Sequence, residues 1–298
     1  MLDIHRLRLL RELDRRGTLA AVARALSYSP SAISQQLTQL EAETGVTLLE
    51  HVGRGVRLTE QARILVRHTE VILERLELAE AELAASMTEV TGTLRVASFQ
   101  SVMLALVPAA LSVLAGRHPG LRVQLTQRDA DLAFAGLLAH DFDVVLGEEY
   151  PGLPQPRTPG VDEEDLTYDE MRFAVPRSGP WCQDTLARLA GAPFVFDPDG
   201  IAPGQWARTV CRGAGFEPDV RFASGDLLLQ VRLVETGHAV AFLPDLLWID
   251  RAPDTVVLHH LPGRPRRRLF TGVRSGAGRQ PAVQAFREAL RSTVTARG

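Results

Sequence analysis

Residues Thr18–Glu41 read TLAAVARALSYSPSAISQQLTQLE. Thr18 is placed to cap a short helix, Leu19 to Leu26, whose alanines allow close helix packing. Ser27-Tyr28-Ser29 then turns the chain. Ser29 or Ser31 can cap a second helix running to Glu43, with Pro30 tolerated in its first turn. Ile33, Leu37 and Leu40 form one apolar stripe on it, at helical spacing. The opposite face carries Ser34, Gln35, Thr38 and Gln39. A solvated helix face ordinarily carries Arg or Glu, and none occurs between Ser29 and Leu40. Hydroxyls and amides can bond base edges and phosphates without charge. The spacing therefore predicts a helix-turn-helix whose second helix lies in a DNA major groove. An ordinary solvated face is the competing reading.

Working outward, Leu2, Leu7, Leu9, Leu10 and Leu13 recur at helical spacing up to Gly17, which stops that helix. Gly45 ends the second helix of the pair. Next, LLEHVGRGVRLT (48–59) places two extended pieces around a Gly53-Arg54-Gly55 tip, the pattern of a β-wing. Arg54 and Arg57 are candidates for phosphate or minor-groove contact. From Thr59 to Met87 there is no Pro or Gly. Ala62, Leu65, Thr69, Ile72, Leu76, Ala79 and Leu83 step along it by threes and fours, a seam that predicts a coiled-coil contact between two copies. Leu65, Ile72, Leu76, Ala79 and Leu83 are its dimerisation candidates. Glu70, Glu74, Glu77, Glu80 and Glu82 form the expected outer face, which would repel DNA. The alternative is a long helix packed on its own C-terminal domain.

The chain has 298 residues, enough for two or three domains. Hydrophobic residues are 45% and charged residues 23%, the balance of a soluble globular protein. The net charge of −3 excludes a wholly basic nucleic-acid binder, so DNA affinity must come from a local patch. Lysine is absent, so all 33 basic side chains are arginine. Cys182 and Cys211 fit no metal spacing and read as idle thiols before a redox pair. No cofactor or metal is expected. The charged start MLDIHRLRLL argues against a signal peptide. No apolar run reaches the ~20 residues of a membrane span, so a cytoplasmic protein with no membrane partner is expected.

Together these stretches resemble the LysR-type transcriptional regulators. The resemblance rests on AAVARALSYSPSAISQQLTQLE, on LLEHVGRGVRLTEQA and on the long helix that follows. Pro30-Ser31 departs from the family's frequent Gln-Pro. Leu49, His51 and Ala62 stand where Phe, Arg and Gly are usual. The resemblance implies that Ser29, Ser31, Ser34 and Gln35 lie on the recognition helix and Arg54 on the wing. It also implies a dimer or tetramer on a palindromic double-stranded DNA operator.

Beyond Thr91-Gly92-Thr93, strands and helices alternate. Strands are predicted at 94–97, 121–126 and 142–146, with an apolar helix running through Leu114 and containing Pro108, and another at 131–139. After the Pro-rich loop Pro151–Pro159, strands follow at 171–175, 193–196, 220–222 and 239–243. Helices fall at 204–213 and 226–236. A strand at 268–273 and a closing helix from Pro281 end the chain. This is α/β with a largely parallel sheet, and ligands in such sheets bind beyond the carboxyl ends of strands. Ser98-Phe99-Gln100-Ser101 occupies such an end, where helix capping is the competing role. Glu148, Phe196, Asp197, Asp199, Ser224 and Asp226 are the other strand-end candidates. Their acidity favours a cationic or amino-bearing effector, although single carboxylates also serve as helix caps.

GHAVAFLP (237–244) matches a further segment of the family. The resemblance implies two lobes like those of type 2 periplasmic binding proteins, linked by crossovers near Thr167 and Arg267. The expected boundaries are a winged helix-turn-helix domain at 1–58 and a linker helix at 59–90. An effector domain follows at 91–298, with lobe I at about 91–166 and 268–298 and lobe II at about 167–267. A ligand-responsive DNA-binding regulator is thus expected, not an enzyme. The alternatives are a small-molecule enzyme or solute-binding protein with an accessory N-terminal domain, or a thiol-redox sensor.

Overall fold

The computed structural model describes residues 1–26, 28–53, 55–87, 89–248 and 253–296. Three helices open the chain: α1 (Ile4–Arg16), α2 (Leu19–Leu26) and α3 (Pro30–Thr44). Asp3 caps α1 and Ser29 caps α3, each accepting a backbone N–H, while Gly17 and Gly45 end those helices in the left-handed region. Ile33, Leu37 and Leu40 are fully buried against Leu7, Leu10, Leu13 and Val22. The strands β1 (Leu49–Val52) and β2 (Gly55–Leu58) pair antiparallel as the wing. Thr59 then caps the 26-residue helix α4 (Glu60–Ala85).

Helix α4 packs one face on its own chain. Ala62, Val66, Thr69, Leu73, Glu77 and Ala81 are buried within this chain. Leu65 and Leu76 are half-buried, and Ile72, Ala79 and Leu83 are exposed. The helix thus seats one face, including the seam positions Ala62 and Thr69, on its own chain and leaves Ile72, Ala79 and Leu83 open beside it. Glu77 is a correction to the acidic outer face. It is 5% exposed, and Arg274 donates Nε to its Oε1 at 2.6 Å. A carboxylate so buried requires a charged partner, which comes from nearly two hundred residues away in sequence.

The C-terminal part begins with β3 (Gly92–Ser98), α5 (Gln100–Ala105), α6 (Val107–Arg117), β4 (Leu121–Gln127), α7 (Ala130–Leu138) and β5 (Val144–Glu149). The single helix expected through Leu114 breaks at Leu106, and Pro108 sits in the first turn of α6, where it is tolerated. The chain continues through β6 (Val161–Pro176), β7 (Pro193–Phe196), α8 (Ala202–Gly213), β8 (Asp219–Ala223), α9 (Leu227–Glu235) and β9 (Ala241–Pro244). It closes with β10 (Val256–His260), β11 (Arg266–Arg274) and α10 (Pro281–Thr295).

The main sheet has the order β10-β6-β11-β5-β3-β4, with β9 also on β6. The sheet is mixed, which corrects the largely parallel expectation. β3 pairs parallel with β4 and β5, and β7 with β8. Every pairing of β6 and β11 is antiparallel. The first part of β6, VDEEDLTYDE, is strongly acidic and falls outside the predicted strands. Arg268 meets Asp165 and Glu163 of this stretch and Glu149 of β5, while Arg287 and Arg291 meet Glu164. Both β6 and β11 run through the two halves of the domain, with a register break at Leu269/Phe270. One apolar core lies between the sheet and α6 and α10, a second around Phe173, Phe194, Trp206 and Phe242.

Candidate functional site

On α3, Ser31, Ser34, Gln35, Thr38 and Gln39 are all exposed, and no charged side chain interrupts that face. Gln36, one position on, is half-buried and accepts a hydrogen bond from Arg6 Nε at 3.0 Å. The helix thus separates its amides by role, one tying α3 to α1 and the others facing outward. Ser29 spends its hydroxyl oxygen on the Ala32 amide and lies 3.0 Å from Ser31 Oγ. Thr18 Oγ1 accepts from the Ala21 amide and so caps α2. Pro30 is exposed at the first turn of α3. Arg57 is exposed and donates Nη2 to Glu50 across the wing at 2.8 Å, which among the described residues leaves its other N–H groups open to a phosphate. Arg54 lies outside the described residues.

Between the two halves of the C-terminal domain lies a cavity of about 620 Å³. The β3–α5 junction supplies Phe99, Gln100 and Ser101, and the end of β5 supplies Glu148. The end of β7 supplies Phe196 and Asp197 from the opposite side. Strand ends dominate because helices α5 and α8 start there and leave a crevice between them. Gly204 in α8 is needed for this closeness. A methyl group there would meet the Asp197 carbonyl oxygen at 2.7 Å.

The sequence reading missed Arg267, the charged centre of the cavity. It is 2% exposed. Its guanidinium donates to Glu148 Oε2 at 2.6 Å, to Ser101 Oγ at 2.7 Å and to Asp169 Oδ2 at 2.7 and 3.0 Å. It also lies 5.4 Å from the Phe99 ring centroid. Burial opposes its charge, but Glu148, Tyr150 and Asp169 hold its pKa well above the ordinary arginine value. The signal was present in Arg266-Arg267-Arg268. On a strand the middle side chain faces opposite to its neighbours, and here it is the one that turns inward.

Asp197 differs from the other carboxylates. It is half-buried, and among the described residues its side chain accepts from Gln230 Nε2 at 3.3 Å and meets no guanidinium within ion-pair distance. Burial pushes its pKa up to about 6, with the nearby Glu148 charge adding to the rise and the Gln230 bond opposing it. Glu148, by contrast, is satisfied by Arg267 and by the Tyr150 hydroxyl at 3.2 Å. Phe196, Trp206, Tyr150 and Phe242 form an aromatic wall beside Asp197.

Four strand-end candidates, Ser98, Asp199, Ser224 and Asp226, lie off the cavity wall. Ser98 is fully buried, its hydroxyl turned to the Phe99 carbonyl. Ser224 Oγ accepts from the Asp226 amide. Asp226 caps α9 and accepts from Gln100 Nε2 at 2.9 Å, while Gln100 Oε1 accepts from the Leu227 amide at 2.8 Å. Asp226 and Gln100 therefore clasp the two sides of the cleft together. Asp199 is exposed and paired with Arg208. Cys211 is buried in an apolar core that pushes its thiol up to about 12, and Cys182 is exposed.

Two sequence profiles match the chain. "Bacterial regulatory helix-turn-helix protein, lysR family" covers residues 4–63, and "LysR substrate binding domain" covers residues 88–295. Similar proteins include the transcriptional dual regulator GltC of Bacillus subtilis (strain 168). It is 25% identical over 268 residues, covering 85% of this chain and 84% of GltC. The HTH-type transcriptional regulator TcbR of Pseudomonas sp. (strain P51) is 28% identical over 245 residues, covering 80% and 81%. Among solved structures, CbnR, a LysR family transcriptional regulator, is similar with a TM-score of 0.56 and 25% identity, covering 97% of this chain and 100% of that one.

Proposed function

The chain belongs to the LysR family of bacterial helix-turn-helix regulators, and from that premise we propose how it reads DNA and what it senses. It is a DNA-binding transcriptional regulator with an effector-binding domain, in a family of regulators and not of enzymes. In our reading residues 1–58 form the reading head, 59–90 the linker and 91–298 the sensor. Two copies pair through Leu65, Ile72, Leu76, Ala79 and Leu83 and set two α3 helices on a palindromic duplex. What supports this is the open apolar edge of α4 beside its packed face. Among the described residues, no helix is long and apolar enough to cross a membrane.

The uncharged, exposed outer face of α3 is the observation that carries the DNA assignment. Gln35 and Ser34 address base edges, with Thr38, Gln39 and the wing arginines alongside. Gln35→Ala is expected to weaken binding by about 1–3 kcal/mol on the preferred duplex, because a bidentate amide–base contact is lost. Fluorescence anisotropy on a duplex selected from a random pool by the purified protein measures it. Unchanged affinity there, with an intact dimer, would remove Gln35 from the contact set.

The effector reading rests on Asp197. Arg267 is already occupied by Glu148 and Asp169, so among the described residues the inner wall offers no free cation, and the second lining arginine, Arg128, is solvent-exposed. Asp197 offers a carboxylate without a guanidinium, beside aromatic rings. That pairing suits an ammonium group on an apolar body. With 2-phenylethylamine as probe, affinity is expected to fall about ten-fold from pH 7 to pH 5, because Asp197 with a pKa near 6 becomes protonated and loses its charge. Asp197→Asn should abolish the pH dependence. Tighter binding of benzoate than of the amine in calorimetry would reverse the assigned charge.

A further inference from the structure

Two segments of the cavity wall end on the reading head of the same chain. Helix α7 contributes Phe134, Ala135 and Leu138 to the wall, and the segment 155–158 contributes Gln155, Pro156 and Thr158. At the end of α7, the Leu138 carbonyl accepts from Arg11 Nη2 at 3.2 Å. Just past Thr158, the Pro159 carbonyl accepts from Arg15 Nη2 at 3.2 Å. Arg11 and Arg15 stand one helical turn apart on α1, the helix that packs against the recognition helix through Leu10 and Leu13.

The linker joins the same point. Arg274 donates Nη1 to the Leu137 carbonyl at 3.2 Å and to the Phe142 carbonyl at 2.6 Å, while its Nε holds Glu77 of α4. Arg15 also meets Glu70 of α4 at 3.2 Å. Arg11, Glu12, Glu77 and Arg274 are each less than a tenth exposed. Contacts so dry are stronger than surface pairs and tolerate little displacement. A shift of the α7 end that moves its carbonyls must move α1 or break these bonds.

The geometry points to a coupling in cis: Arg11 and Arg15 transmit the position of the cavity wall to the DNA-reading head of the same subunit. The coupling rests on the reading of this cavity as the ligand's seat. It differs from a signal passed only through the pairing of two subunits, because it runs inside one chain. Packed elements respond by switching between discrete arrangements, and the α1–α7 contact is such an element, with one side on the ligand cavity and the other on the helix pair.

The test uses the full chain and needs no natural ligand. Ala135→Phe adds a ring to the cavity side of α7 and stands in for occupancy. Its effect on Kd for the selected duplex is measured in the natural background, in Arg15→Gln and in Arg11→Gln/Arg15→Gln. Arg15 is half-buried, so its single variant keeps the test open if the buried Arg11 change prevents folding. Ala135→Phe should shift Kd by about five-fold or more in the natural background, the lower end of ordinary allosteric coupling, and by less than about two-fold once Arg15 is changed. An equal shift in all backgrounds, or none in the natural one, overturns the coupling. The 2-phenylethylamine titration reports separately. If the amine fails to bind while the Ala135→Phe pattern holds, the ligand chemistry is wrong and the coupling stands. If the amine binds through Asp197 and the pattern is absent, the coupling alone falls.

Discussion

Arg267→Met is expected to destabilise the C-terminal domain by about 3–5 kcal/mol, the usual consequence of stranding buried charges. The methionine fills much of the space but donates nothing. Asp169, 6% exposed, loses both of its guanidinium bonds, and Glu148 and the Ser101 hydroxyl lose one each. The Leu246 amide still donates to Asp169 Oδ1 at 2.9 Å, which is too little to hold a buried anion. Urea denaturation followed by circular dichroism measures the loss. Adding Asp169→Asn and Glu148→Gln to Arg267→Met should recover a large part of it, since a neutral set needs no cation. A single variant as stable as the parent would mean that water reaches this group and that the cavity floor is not sealed.

The second large effect is expected at Gly276. Its φ of +90° is unfavourable for any side chain with a Cβ. A methyl group there would also press on the Glu74 carbonyl oxygen and lie 3.3 Å from the Glu77 Cβ, both on α4. The obstacle is helix backbone, which cannot rotate away. Gly276→Ala therefore combines backbone strain with overpacking, about 2–4 kcal/mol in sum if α4 stays seated. The alternative for the molecule is to lift α4 off the effector domain, which also breaks Arg274–Glu77. Hydrogen exchange separates the outcomes: faster exchange confined to 70–85 and 274–280 marks an unseated linker. Gly278, two residues on, has only ordinary contacts for a Cβ. Gly278→Ala is the control, and equal behaviour of the two would refute the close approach.

The helical head was legible almost to the residue, because capping side chains and apolar spacing are local signals. Thr18, Ser29, Thr59, Gly17 and Gly45 all stand at helix ends as expected from their chemistry. The sheet was less legible. Val161–Glu170 carries no strand signal of its own, because its strand-stabilising partners are arginines about a hundred residues later. The β10 strand, Val256–His260, was likewise unforeseen, since it depends on pairing with β6. The cavity was legible as a set of strand ends, and Phe99, Gln100, Ser101, Glu148, Phe196 and Asp197 do come together around it. Its charge balance was not legible. Counting carboxylates along the chain suggests an acidic pocket, whereas the fold delivers Arg267 to Glu148 and Asp169 and leaves Asp197 as the distinctive group. The same holds for Glu77, acidic and outward by periodicity, yet buried by an arginine that folding brings to it.

The shared strands have a consequence for how the two lobes can move. β6 and β11 stay paired from Arg266↔Glu170 to Arg274↔Val161, interrupted only by the register break at Leu269/Phe270. The lobes are therefore vanes on one twisted ribbon and not bodies on loose tethers. Their relative motion is torsion of that ribbon, with the break as the compliant point, because a bulge already carries extra twist. A ligand drawing the vanes together works against an elastic restoring torque. It does not have to order slack chain, so little of its binding energy is lost to chain entropy. On that reading the stiffness of two strands sets the cost of moving between the arrangements of the α1–α7 contact, and residues flanking Leu269 and Phe270 tune that cost without touching the ligand's charged anchor.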